Sequence, residues 1–252
     1  MNNLSNNKMK FLSAYRQQKN CEAEGVFVVE GVKMAQEALK SGWKIRTVCA
    51  TAEEWNAMDF FAHNGADEVY EASREQIERL SSLRSPQGVW MLVERKTENG
   101  ERRAESPFVL ALDGIQDPGN MGAILRTCDW FGVRDVVCSH ETVSCYNPKV
   151  VQASMGAIFR THVSYCELAE TLMSYKKHGF AINGAMLDGE DAFAARKERP
   201  CVLVIGNEGH GISPEVAAVI DRRLTIPNIG GTCESLNTSV AAAILVSGFF
   251  RA

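Results

Sequence analysis

Apolar residues follow two rhythms along this chain: short runs that read as buried strands, and longer stretches with helical spacing between them. In the N-terminal part, Val26–Glu30 (VFVVE) and Ile45–Ala50 (IRTVCA) read as strands. Residues 31–40 (GVKMAQEALK) between them read as a helix stopped near Gly42. Helical spacing continues through Trp55 and Phe60, and beyond Val69 the run Ser73-Arg-Glu-Gln76 is a capping box opening a helix to about Leu80. Residues 88–94 (GVWMLVE) close this part as a strand. The stretch 96–107 (KTENGERRAESP) is charged, rich in turn formers and almost without large apolar groups, so it reads as a linker between 1–95 and 108–252.

The second part repeats the alternation. Strands are predicted at 108–113 (FVLALD), 134–138 (RDVVC), 180–186, Cys201–Ile205 (CVLVI) and 223–226. Helices are predicted at 120–130, 148–159 and 167–177, and 235–250 (SLNTSVAAAILVSGFF) is a final, strongly apolar helix. This order predicts an α/β fold, a mainly parallel sheet flanked by helices behind a small N-terminal α/β domain. There is no internal repeat.

Composition changes this picture little. A hydrophobic fraction of 45% and a charged fraction of 23% are ordinary for a folded chain of 252 residues. No run approaches the roughly 18 apolar residues of a membrane span. The opening MNNLSNNKMKFLS lacks the apolar core of a secretory signal, so a cytoplasmic protein is expected. Eight cysteines occur without a Cys-x-x-Cys pair, which favours reduced thiols, and no metal is expected. The net charge is −4, yet Lys8, Lys10, Arg16 and Lys19 give the first twenty residues +4 with no acid, leaving −8 elsewhere. That segment reads equally as a basic arm for phosphates or as a solvated tail, and charge alone does not choose.

Three unusual loops, each after a predicted strand, carry the chemistry. In open parallel sheets ligands bind at the carboxyl ends of strands, so these loops point to one converging site. The first, Asp113-Gly-Ile-Gln-Asp-Pro-Gly-Asn-Met-Gly122, runs into a helix, with Asn120 at or near the cap and Arg126 within its first two turns. Taken alone it reads more readily as a tight turn, a structural cap and a surface arginine, because glycine turns are common. The second, Ile205-Gly-Asn-Glu-Gly-His-Gly-Ile-Ser213, is neither the dinucleotide Gly-x-Gly-x-x-Gly pattern nor a P-loop. Glu208 between glycines is poorly explained by packing, whereas His210 reads as a solvent-facing loop residue. The third, Ile226-Pro-Asn-Ile-Gly-Gly-Thr-Cys-Glu-Ser-Leu-Asn237, leads into the last helix, with Glu234 or Ser235 as its cap and Asn237 in its first turn.

Together the loops resemble those of the SpoU (TrmH-like) family of RNA 2′-O-methyltransferases, in the SPOUT superfamily. Asn120, Gly122 and Arg126 match the family's Asn-x-Gly-x-x-x-Arg motif. Gly206, Glu208, Gly211, Ile212 and Ser213 match its Gly-x-Glu-x-x-Gly-hydrophobic-Ser motif. Ile226, Pro227, Glu234, Ser235, Leu236 and Asn237 match its Ile-Pro…Glu-Ser-Leu-Asn motif. Residues 10–95 resemble, less specifically, the small substrate-binding domain of many members. Two departures stand out: Asn228 replaces the methionine common after Ile-Pro, and the span from Pro227 to Glu234 is one residue longer than usual.

The resemblance implies a catalytic domain threaded as a deep trefoil knot, S-adenosylmethionine as cofactor, and a homodimer completing the site across its interface. It implies cofactor contacts at Gly206, Glu208, Gly209, Ile226 and Leu236, and catalytic roles at Arg126, Asn120, Glu208, Ser235 and Asn237. The reaction would be methyl transfer to a ribose 2′-hydroxyl in RNA, with 1–95 as the RNA-binding domain and rRNA ranked ahead of tRNA by analogy. A guanidinium with pKa above about 12 is a poor base, so Arg126 fits a phosphate or oxyanion anchor better. The alternatives are a tRNA enzyme, a base methyltransferase, a dehydrogenase-like enzyme, or a non-catalytic RNA-binding factor on the same fold.

Overall fold

Valine- and leucine-rich runs form the inner strands of two separate sheets, each in its own unit. The computed structural model describes residues 2–57, 65–96 and 106–250. Phe60 and most of the expected linker at 96–107 lie outside the described residues. One unit comprises Met1–Asn99 with Tyr146–Phe159, and the other Gly100–Cys145 with Arg160–Ala252.

In the first unit β1 (Asn2–Asn3), β2 (Val26–Glu30), β3 (Ile45–Ala50), β4 (Ala66–Glu71) and β5 (Val89–Glu94) form a sheet in the order β1-β4-β3-β5-β2. Strand β5 is antiparallel to both neighbours, and the other pairs are parallel. Helices α1 (Asn6–Leu12), α2 (Gln18–Ala23), α3 (Val32–Lys40), α4 (Ala52–Ala57) and α5 (Arg74–Leu80) complete the chain here. The Ser73 capping box forms as expected, with Gln76 N donating to Ser73 Oγ at 3.2 Å and Ser73 N to Gln76 Oε1 at 2.9 Å. Strand β4 escaped the sequence reading because ADEVYE is only half-buried and lacks an apolar run.

The basic N-terminal segment is folded rather than a free arm or tail. Ser5 caps α1, and Leu4, Leu12, Tyr15 and Cys21 enter the same core as Val26, Trp90 and Leu92. That apolar face holds the short helices in place where their intrinsic propensity would not. Lys8 is consumed in an ion pair with Glu68 at 2.7 Å, while Lys10 and Lys19 stay exposed.

Glu30, buried at the end of β2, accepts hydrogen bonds from Ser81 Oγ, from Ser82 N at 3.0 Å and from Ser82 Oγ at 2.9 Å. Glu30→Ala strands these donors and is expected to lower the unfolding free energy by about 2–3 kcal/mol. Urea titration checks this, and an unchanged midpoint would mean the carboxylate is not the clasp between β2 and the end of α5.

The second unit holds β6 (Phe108–Leu112), α6 (Pro118–Phe131) and β7 (Asp135–Cys138), after which the chain supplies α7 (Pro148–Ser154) to the first unit. It continues with β8 (His162–Tyr165), α8 (Leu168–Lys177), β9 (Ala181–Asp191), β10 (Cys201–Ile205), α9 (Pro214–Ala217), β11 (Arg222–Thr225) and α10 (Thr238–Phe250). The sheet is parallel throughout, in the order β11-β9-β10-β6-β7-β8. Strands β6 and β10 are buried on both faces, which is why they read as unbroken apolar runs. Val109, Ala111, Val202 and Val204 pack with Leu168, Leu172 and Val216 of the helices on one face. On the other, Phe108 meets Phe249 and Phe250 of α10, with ring centroids 5.3 and 5.2 Å apart.

The single helix expected at 148–159 breaks after Ser154. Met155 (φ 51°) and Gly156 (φ 93°) turn the chain left-handed into a 3-10 turn at Ala157–Phe159. A Cβ on Gly156 would lie 2.7 Å from Glu37 Cγ, so close approach to α3 demands glycine. Beyond the break Phe159 meets Trp43 at a centroid distance of 5.5 Å, and ahead of α7 Tyr146 meets Phe27 at 4.9 Å.

Candidate active site

Strands β6 and β10 are neighbours although the chain visits β7, β8 and β9 between them. The direction of strand addition therefore reverses at that pair, where open α/β sheets place ligand sites. The first and second loops leave the carboxyl ends of these two strands. Strand β11 lies beyond β9, two positions from β10, or roughly 10 Å at ordinary strand spacing. The third loop must return that distance to start α10, which packs on α6.

The three loops meet at one carboxylate oxygen. Glu208 Oε1 accepts from Asn120 Nδ2 at 2.5 Å, from Asn237 Nδ2 at 2.9 Å and from Thr238 N at 3.5 Å. Asn237 Nδ2 also donates to Asn120 Oδ1 at 3.0 Å. Asn237 Oδ1 accepts from Ser239 N at 3.0 Å, Ser239 Oγ at 2.7 Å and Val240 N at 3.3 Å, so it caps α10. The cap fixes the amide: with its oxygen committed to the helix, its NH₂ must face Glu208.

This geometry makes one capping expectation specific and corrects another. Asn120 is not the cap of α6; Asp117 is, accepting from Asn120 N at 2.8 Å, with Pro118 filling the first helical position. Neither Glu234 nor Ser235 caps α10, because that helix starts only at Thr238 and Asn237 takes the role. The early start of α6 also moves Arg126 into the third turn, roughly 9 Å along the axis from Asn120 at 1.5 Å per residue. It is therefore not at the helix N-terminus. Arg126 is exposed and makes no hydrogen bond or ion pair among the described residues, and neither it nor Ser235 joins the cluster around Glu208.

Two further residues set the frame and were not singled out from the sequence. Asp113 Oδ2 accepts from Ser213 N at 2.7 Å, pinning the end of the second loop to the start of the first. Asn207 Nδ2 donates to Gly114 O at 2.7 Å, while its Oδ1 accepts from Gly209 N at 2.8 Å and His210 N at 3.2 Å. The signal was present: an acid ending an apolar strand and an amide in a glycine loop are residues that bond backbone. Gly206 owes its identity to packing, since a Cβ there would lie 2.3 Å from the Gly211 carbonyl carbon. Gly209 is exposed, with room around it.

The third loop suits a cofactor with an apolar ring and a polar edge. No backbone–backbone hydrogen bond involves residues 226–236 among the described residues, so their amides and carbonyls are not committed to other backbone groups. Leu236 is half-exposed and Ile226 partly so beside them. Among the described residues no group of His, Cys, Asp and Glu could hold a metal ion, and no helix is long and apolar enough to cross a membrane.

All eight cysteines are free thiols, and only Cys233, in the third loop, is exposed. Burial pushes the Cys49 and Cys128 thiols up to about 12 and Cys201 to about 11, so they remain protonated and unreactive at neutral pH. Titration of the native protein with a thiol reagent near pH 8 should show one fast thiol, Cys233, with half-buried Cys166 slower. Several equally fast thiols would contradict the burial.

Residues 107–247 match the family described as SpoU rRNA Methylase. Residues 6–90 match the MRM3-like substrate binding domain. A 23S rRNA (guanosine(2553)-2′-O)-methyltransferase of Bacillus subtilis is 28% identical over 242 residues, covering 96% of this chain and 95% of its own. A solved structure of a putative RNA methyltransferase of the TrmH family from Porphyromonas gingivalis is 39% identical, with TM-score 0.87 and 98% coverage of both chains. An rRNA methyltransferase from Sinorhizobium meliloti, solved with AdoMet bound, is 28% identical with TM-score 0.84, covering 99% of this chain and 96% of that one.

Proposed function

Since this chain belongs to the SpoU rRNA methylase family, we propose that it transfers a methyl group from S-adenosylmethionine to a ribose 2′-hydroxyl of ribosomal RNA, at the three-loop cluster around Glu208. The observation that carries this reading is the convergence of Asn120, Glu208 and Asn237 from three separate loops. S-adenosylmethionine supplies an activated methyl on a sulfonium, so the chain has chiefly to position and to stabilise. Gly206, Gly209, Ile226 and Leu236 would hold it through backbone groups and apolar contact. Glu208 commits Oε1 to the three loops, leaving Oε2 to take a hydrogen bond from the ribose, while Asn120 and Asn237 hold the carboxylate and Ser235 flanks the cofactor.

Arg126 anchors the target phosphate and the developing 2′-oxyanion in this reading. Its exposure, with Trp130 85% and Val240 46% exposed on α6 and α10, fits a homodimer in which these helices pair and Arg126 serves the partner's site. The first unit binds RNA, with the matched substrate-binding domain and exposed Lys10 and Lys19 in support. The trefoil threading implied by the family belongs to the same reading.

The test is transfer of radiolabelled methyl from S-adenosylmethionine to total RNA from a strain lacking this gene, followed by nuclease digestion. A labelled 2′-O-methylnucleotide in rRNA-sized RNA is expected. Label in tRNA-sized RNA would change the substrate, a methylated base would change the reaction, and intact RNA binding with neither transfer nor cofactor binding would leave a non-catalytic factor.

A further inference from the structure

The third loop departs from the family pattern at Asn228 and in its extra residue, and both departures serve one local structure. Its inference rests on the function proposed above. With no backbone–backbone hydrogen bond among residues 226–236, the loop is folded around a single side chain. Asn228 Oδ1 accepts from the backbone N of Gly230 at 3.1 Å and of Gly231 at 2.7 Å. Its Nδ2 donates to the carbonyls of Gly231 at 3.1 Å and Cys233 at 3.3 Å. Both ends of one amide thus close the chain on itself.

The glycine pair makes that closure feasible. Gly230 has φ 146°, a conformation L side chains rarely adopt. A Cβ on Gly231 would lie only 3.3 Å from Asn228 Oδ1, tighter than ordinary contact. Asn228 is exposed, so its bonds are not forced by burial; what they determine is the path of the chain. That path runs from Ile226, on one side of the closure, to Leu236 and the Asn237 cap on the other.

The geometry points to Asn228 as a positioning residue: its side-chain amide holds 226–236 in the form that receives S-adenosylmethionine, the task that falls elsewhere in the family to a shorter loop with methionine at this position. A methionine could make none of these four bonds, and the longer loop needs them. Loosening the loop reduces the fraction of competent conformers and weakens affinity by that fraction, without altering groups that touch the reacting atoms.

The experiment uses the full chain and two readouts. By calorimetry, Asn228→Ala should weaken S-adenosylmethionine binding about tenfold, the effect of a competent fraction near one tenth. Asn228→Asp keeps both acceptor bonds to Gly230 and Gly231 but sets an oxygen against the carbonyls of Gly231 and Cys233, so it should recover only part of the affinity. The Michaelis constant for the cofactor should rise in the alanine variant while kcat at saturation changes little. Maleimide alkylation of Cys233 should be faster in Asn228→Ala than in the wild type, and bound cofactor should slow it. Unchanged affinity and alkylation in Asn228→Ala, with a wild type that binds, would overturn this inference alone. Equal losses in kcat, affinity and melting temperature without rescue by aspartate would overturn it too, as general damage. A wild type that binds no cofactor would overturn the proposed function together with it.

Discussion

Arg126→Ala should lower methyl transfer by about 10²–10³-fold, the usual cost of removing one transition-state donor, while S-adenosylmethionine affinity stays within about twofold. The asymmetry follows from position. Arg126 stands in the third turn of α6, exposed and outside the Glu208 cluster, so its loss removes no contact that shapes the three loops. Arg126→Lys should recover little, because an ammonium cannot reproduce the guanidinium's planar fork on a phosphate. Equal losses of transfer and cofactor binding would refute the anchor role. Mixing Arg126→Ala with Glu208→Ala protein tests the dimer as well. If the arginine acts across the interface, random re-association leaves one intact site in half of the dimers and restores about a quarter of wild-type activity. No recovery in a mixture shown to exchange subunits would place Arg126 in its own chain's site.

Glu208→Ala should do more damage of a different kind. It removes the acceptor shared by Asn120, Asn237 and Thr238 N, leaving the first and third loops joined only by the Asn237–Asn120 bond. The expected result is a loss of at least about 100-fold in kcat/KM with cofactor affinity down about tenfold, because hydrogen bonds to a charged acceptor contribute roughly 1.5–3 kcal/mol. Glu208→Gln keeps an oxygen for Asn120 and Asn237 but puts an amide where Oε2 was. Binding should therefore return while turnover stays low. Full activity in the glutamine variant would show that Oε2 takes no hydrogen bond from the substrate and that Glu208 only fastens the loops.

Truncation calls for more care than the sequence suggested. Tyr146–Phe159 belongs to the first unit, and Gln152 Nε2 donates to Glu30 O at 2.7 Å there. Deleting 1–95 would strip Phe27 and Trp43 from Tyr146 and Phe159, exposing aromatic surface to aggregation. Charge reversal at exposed Lys10 and Lys19 is the cleaner probe of RNA binding by that unit.

The sequence by itself determined that β6 and β10 are inner strands of a doubly covered parallel sheet, because they must be apolar at every position to be buried on both faces. It also determined that three polar, glycine-bearing loops lie at strand ends, since acids and amides between glycines have no packing role there. Tertiary structure alone decided what those residues do to one another. Asn120 and Asn237 both looked like residues of helix starts; which one caps depends on where each helix begins, set by Asp117-Pro118 in one case and by the return path from β11 in the other. Strands β1, β4 and β8 and the folded N-terminal helices were illegible because their burial is partial or supplied by distant partners. The assignment of Tyr146–Phe159 to the first unit has the same cause: a contact between residues more than a hundred positions apart leaves no periodicity in either.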